Sequence, residues 1–171
     1  MPAVVARVAL MIVALSVAET NPPSLMGTWR STPENTPLSS AFDESVWGKN
    51  AQSIRVVEMT VKPTGDATLT VTHKVVDRNR REIKAATEIE QAELTIGAPQ
   101  HTIDVRSDLA VTVKHAERRY PDDPAGTWTL EGLRVTVSTS ADDPSRIEVR
   151  VYTPEGPGSF WETLHRAAIR K

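Results

Sequence analysis

From Ile54 onward apolar and polar residues alternate with period two, in successive segments broken by Gly, Pro, Asn and Asp. Neighbouring side chains of a strand point to opposite faces, so this alternation predicts strands with one buried and one wetted face. Residues 55–61 put Val57, Met59 and Val61 on one side, and Lys62-Pro63-Thr64-Gly65-Asp66 then reads as a turn, Pro presetting φ and Gly admitting φ > 0. Residues 67–76 set Leu69, Val71, His73 and Val75 against Thr68, Thr70, Thr72 and Lys74, and a threonine row suits a solvated sheet face. After a polar tip at 77–81, Ile83, Ala85, Thr87 and Ile89 share one parity, whereas Ala92, Leu94 and Ile96 share the other. One extra residue near Glu90-Gln91, a β-bulge, would return both sets to one face.

Ile103 and Val105, then Leu109, Val111, Val113 and His115, continue on one parity until Pro121-Asp122-Asp123-Pro124 breaks the run. Segments 126–130 and 133–138 flank Glu131-Gly132, a tight-hairpin signal. Ile147, Val149 and Val151 alternate with Arg146, Glu148, Arg150 and Tyr152; a turn at 154–158 follows, and residues 159–169 read as a last strand or a short helix. The pattern predicts an all-β fold of eight to ten antiparallel strands. Up-and-down strands leave unpaired edges, and closing into a β-barrel removes them. The exception is 31–50, where Ser40-Ala41-Phe42-Asp43 resembles a capping box, and Phe42 and Val46, four apart, predict a short helix near 40–48 ending at Trp47, of the kind that lies across a barrel mouth.

Leu25-Met26-Gly27-Thr28-Trp29-Arg30 resembles the Gly-x-Trp opening of the first strand in the lipocalin and wider calycin superfamily. Gly126-Thr127-Trp128-Thr129-Leu130-Glu131-Gly132-Leu133-Arg134-Val135 is similar to a hairpin of bacterial lipocalin-like domains. The resemblance spans most of 25–170 and implies an antiparallel up-and-down barrel. It also implies that Arg166 lies over Trp29, a cation–π contact closing the barrel floor. The Thr-Asp-Tyr-type loop motif and the cysteines of the animal lipocalins are missing.

The first residues add a compartment. Arg7, the apolar run 8–15 and Ser16-Val17-Ala18 have the form of a signal peptide cleaved after Ala18, leaving 19–171 as one domain. The run falls short of the ~20 residues that span a bilayer, so no stable membrane insertion is expected after cleavage. Removing residues 1–18 takes one arginine and no acid, which leaves 19 basic and 22 acidic side chains and no pointer to nucleic acid. The cluster Arg78, Arg80 and Arg81 falls at a polar break and reads as a solvated hairpin tip. With 171 residues and no cysteine, the chain builds its core without crosslinks, which fits a bacterial periplasmic or secreted protein.

Candidate chemistry is sparse. No Gly-x-Ser-x-Gly, phosphate-cradling glycine loop or His-Glu-x-x-His occurs, so neither catalysis nor a cofactor is expected. Asp122-Asp123 and Asp142-Asp143 each precede Pro and read as turns. His73, His115 and His165 share parities with apolar neighbours; if those faces converge, three imidazoles would make an open zinc site, the alternative to cavity lining or hydrogen-bonded core. Trp29 reads as structural, and Trp47, Trp128 and Trp161 as core or pocket lining.

Three functions follow, the third being a metal-dependent hydrolase or metal carrier that uses His73, His115 and His165. In the first, the interior holds a small apolar or amphipathic ligand against Met59, Leu69, Val71, His73, Val111, Val113, His115, Val135 and Val149, a set rich in Val and poor in aromatics that leaves volume in a wide barrel. In the second, side chains fill the barrel and the protein works in the cell envelope through its outer face or loops. Oligomeric state has no signal in the sequence.

Overall fold

Among the described residues the chain forms ten strands: β1 (Gly27–Ser31), β2 (Pro37–Leu38), β3 (Gln52–Val61), β4 (Asp66–Val76), β5 (Glu82–Ile103), β6 (Arg106–Arg119), β7 (Thr127–Thr129), β8 (Arg134–Ser140), β9 (Arg146–Tyr152) and β10 (Phe160–Arg166). A helix, α1 (Ala41–Trp47), packs against β3. These come from a computed structural model that describes residues 25–32, 37–38, 41–123, 126–154 and 159–168. The signal-peptide reading of 1–18 lies outside them. β1, β3, β4, β5, β6, β8, β9 and β10 pair antiparallel in chain order, and β1 pairs with both β10 and β3, so the eight-stranded sheet closes on itself. The architecture is consistent with a calycin-like barrel. β2 adds to β3 and β7 to β6.

The seam of closure is at Trp29, which stands between Met59 on β3 and Arg166 on β10. Its side chain is 1% exposed, and its indole Nε1 donates to the Leu25 carbonyl at 2.8 Å. The Arg166 guanidinium lies 4.4 Å from the ring centroid and donates from Nη1 to the Met26 carbonyl at 2.8 Å. A cation on an indole face, tied to the chain on either side of it, pins the barrel floor. Above it Val57, Met59, Leu69, Leu94, Ile147 and Val149 are buried on the parity that the alternation assigned to their strands, with Val137 and Leu164 buried beside them; in β10 the buried parity is that of Glu162 and Leu164, opposite to His165.

In several places the ladder departs from the sequence pattern. The bulge in β5 lies at 85–87, not at Glu90-Gln91: His73 faces Glu88, yet Val75 faces Lys84. Beyond it Glu88 and Glu90 take the inward parity, and Ile83 is left exposed. Ile103 and Val105 are not core; they flank Asp104, with φ of 52°, at the exposed tip of the β5–β6 hairpin. Val46 is exposed too. Residues 160–166 form a strand rather than a helix because both neighbours, β1 and β9, offer edges to pair.

Glu131-Gly132 is not a hairpin turn. β7 and β8 both run antiparallel to β6 and on one register, since 13 residues separate Arg119–Thr127 from Arg106–Ser140 on either strand. Residues 127–140 are therefore one strand that leaves β6 after the Leu130 amide donates to the Ala116 carbonyl at 2.8 Å and rejoins it at Ser138. Gly132 has φ of +69°, and a Cβ there would stand 2.9 Å from Pro154 Cγ, so glycine supplies the kink. The wall between β6 and β8 opens at this point.

Candidate functional site: a sealed interior and a lateral cleft

Side chains fill the barrel centre. Bounded by Leu69, Val71, Glu90, Ala92, Leu130, Leu133 and Val151, a cavity of about 10 Å³ remains. That is space for one water, which needs ~10–15 Å³, and not for an organic ligand. Met59, Leu69, Val71 and Val149 thus serve here as packed core.

Following the inward parity away from Trp29 leads to charge. Arg55, His73, Glu88, Glu90, Arg118 and Glu162 stand on the inner parities of β3, β4, β5, β6 and β10. Arg118 Nε reaches Glu90 Oε1 at 2.9 Å and Glu88 Oε1 at 2.8 Å. Arg55 Nη2 stands 3.5 Å from Glu162 Oε2, with its guanidinium 4.1 Å from the Phe160 ring centroid. Half-buried His73 is in register with Arg55 and Glu88. Glu90 is 6% exposed and Glu162 7%, and charges so placed persist only when paired. Burial alone would lower the pKa of Arg118, but the hydrogen bond and charge of Glu90, with Glu88 behind, raise it above the ordinary value. Tyr120 and Trp128, edge to face at 5.3 Å, stand at the rim above Arg118. An ionic layer therefore caps the apolar floor.

A recess lies in the wall, where β6 and β8 part. Its volume is about 600 Å³. Leu109, Val111, Val113, Leu133 and Val135 line its inner side, and Gln100, His101, Asp108, Thr112, Arg134 and Thr136 its outer side. Residues of both parities line it, so it passes from the outer surface into the wall. The β5–β6 hairpin forms one flank: β5 runs past its last partner on β4, Asp66 opposite Thr95, and Pro99 with two register irregularities blunts that free edge.

On the outer face below the cleft, Arg106 holds β6 to β8. It donates to Asp108 Oδ1 at 3.2 Å and Ser138 Oγ at 2.9 Å, and its Nη1 stands 3.2 Å from Glu148 Oε2. The Ser138 hydroxyl also donates to Asp108, and this bond, followed by Arg106, holds the Asp108 carboxyl below the usual range against the opposing effect of burial. A depressed carboxyl contributes stability present above the unfolded Asp pKa, about 3.9, and lost as pH falls through its lower folded value. Asp108→Asn is expected to lower the urea midpoint at neutral pH, and its deficit against the parent chain should shrink in titrations carried below about pH 4. A deficit that stays constant with pH would show that the charge of Asp108 contributes nothing.

The three histidines do not meet. His73 faces inward, whereas exposed His115 is turned outward beside Glu117. The cause is a bulge in β6: Glu93 faces His115 while Leu94 faces Val113, so Lys114 is the extra residue and the parity shared by Val111 and Val113 passes to Ala116. That corrects the interior placement of His115. His165 is exposed between Arg146 and Arg30. Among the described residues no group of three or more His, Cys, Asp or Glu side chains is placed to hold a metal ion. The acidic doublets fall in turns: Asp122 pairs with Lys84 at 2.7 Å, and Asp143 accepts from Ser145.

Sequence reasoning missed the ionic layer, although parity marks it: Arg55 shares a side with Val57 and Met59, and Glu162 with Leu164. It also missed Arg134 and His101 at the cleft, whose position depends on the parting of two strands. Comparison with known proteins adds no relative: no family model, no curated protein and no solved structure matches the chain.

Proposed function

We propose that this chain is an exported, lipocalin-like binding protein that takes a small amphipathic ligand in the cleft between β6 and β8. The cleft carries the reading: its volume of about 600 Å³ lies within the ~300–1,000 Å³ of small-molecule sites. Val111, Val113 and Val135 meet an apolar body. The charge of Asp108 is engaged by Arg106 and Ser138, whereas Arg134 has no carboxylate within ion-pair reach among the described residues, which favours an anionic or strongly polar head. The leader at 1–18 supports export, and the Gly-x-Trp strand with Arg166 over Trp29 supports the lipocalin-like reading.

Protein purified natively and extracted into solvent is expected to release an amphiphile in near-stoichiometric amount. Val111→Trp, which fills the cleft, should weaken binding of a fluorescent fatty acid at least about tenfold, the equivalent of 1.4 kcal/mol. Unchanged binding in the folded variant would remove the cleft as the site.

A second reading, a filled barrel that acts in the cell envelope through its surface, is favoured by the packed centre and its ionic cap. It predicts an empty extract and no binding of the probe.

A further inference from the structure

We propose that the outer face of β8, β9 and β10, beside the cleft, docks on an anionic lipid bilayer. Cross-strand pairing builds the surface. Arg134 on β8 is paired with Tyr152 on β9, its guanidinium 4.3 Å from the ring centroid. Arg150 on β9 pairs with Thr136 on one side and Trp161 on the other, 5.1 Å from the indole centroid. Trp161 is 60% exposed and Tyr152 47%, so two large aromatic faces stand in solvent on one wall.

The charges of this wall single out the same place. Arg30, Arg106 and Arg146 are matched with Glu58, Glu148 and Asp143. Among the described residues neither Arg134 nor Arg150 has a carboxylate within ion-pair distance; each lies on an aromatic ring, and Arg150 acts on the Asp108 charge only at longer range. A guanidinium stacked on a ring keeps its in-plane N–H donors free, and those donors fit a phosphate bidentately. Trp and Tyr, with apolar bodies and polar tips, settle at the level of lipid headgroups. The chain has a formal net charge of −2, so attraction to an anionic surface is local to this patch.

A bilayer, rather than a soluble polyanion, is favoured because half of the patch is aromatic surface, which a polyanion leaves wet. Contiguity points the same way, in a step that rests on the cleft reading: Arg134 and Thr136 line the cleft and belong to the rows of the patch, so an amphiphile leaving a docked bilayer enters the cleft without crossing water. Docking is peripheral, and among the described residues no helix is long and apolar enough to cross a membrane.

The test is co-sedimentation of the full chain with vesicles of phosphatidylglycerol and phosphatidylcholine, or of phosphatidylcholine alone, with tryptophan emission recorded. Binding is expected to the anionic vesicles, to weaken with salt, and to shift the emission to the blue. Arg150→Gln should weaken it about fivefold. Trp161→Ser should weaken it about tenfold. Both side chains are exposed, so unchanged urea midpoints confirm folding. Val111→Trp should leave vesicle binding intact, which separates docking from the cleft: its loss of fatty-acid binding beside normal sedimentation supports both readings, unchanged fatty-acid binding beside normal sedimentation sinks the cleft alone, and loss of sedimentation in the folded variant sinks docking on this face. Absence of vesicle binding, binding indifferent to both surface substitutions, or equal affinity for soluble dextran sulfate unaffected by Trp161→Ser would overturn the proposal.

Discussion

Trp29→Ala is expected to lower the unfolding free energy by about 3–5 kcal/mol. The indole is buried at the closing seam, hydrogen-bonded to the Leu25 carbonyl and covered by the Arg166 guanidinium. Its removal takes away a large apolar area and opens a cavity at the place where the first strand meets both of its partners, so local collapse would have to break the ladder of β1 with β3 or β10. Arg166→Met keeps much of the packing and loses the charge, and should cost about 1 kcal/mol. In a double-mutant cycle the two losses should add to less than their sum, because the cation has no ring to lie on once the indole is gone. Urea titrations at fixed pH measure all three. A loss below about 1 kcal/mol for Trp29→Ala would mean that the seam closes without it.

The second large effect lies at the opposite end. Arg118→Met is expected to cost about 3–5 kcal/mol near neutral pH, since it leaves the carboxylate of Glu90, and that of Glu88 beside it, without a cation in a buried layer. Adding Glu90→Gln should recover much of that loss: the amide carries no charge to desolvate, and methionine fills the space of the arginine stem. The sign of the second step is the informative part. If Glu90→Gln made the Arg118→Met chain weaker still, the carboxylate would be held by a partner other than Arg118, and the ionic cap described here would be wrong. Should Arg118→Met be tolerated with no loss, the layer would be wet.

Both variants bear on what was legible in the residues. Trp29 and Arg166 were marked by the resemblance of the Gly-Thr-Trp stretch to the calycin opening, and the contact they make depends on the register of β1 with β10. The ionic layer was present in the parity of Arg55, which shares a side with Val57 and Met59, but a charged residue at an inward position reads as an edge or an error until its partner is known, and Arg118 turns inward only because Lys114 shifts the parity of β6. The partner of Arg118 is 28 residues away on another strand. Glu131-Gly132 shows a different limit. A glycine that turns a hairpin and one that kinks a strand have the same chemistry, and only the shared register of β7 and β8 on β6 distinguishes them. His115 was placed inside by unbroken alternation, and the extra residue Lys114 moved it out, an event that leaves no mark on composition.

Local alternation by itself determined that this protein is built of antiparallel strands with an apolar face, where most turns fall, and which residues of β3, β4 and β9 are chiefly buried, because a strand's side chains take sides at every residue whatever its neighbours do. Tertiary structure decided where the bulges fall, which buried charges meet, and that the free volume lies in the wall between β6 and β8 rather than at the centre. Those depend on register between strands far apart in sequence, where a slip of one residue exchanges inside for outside, and no single strand carries that information.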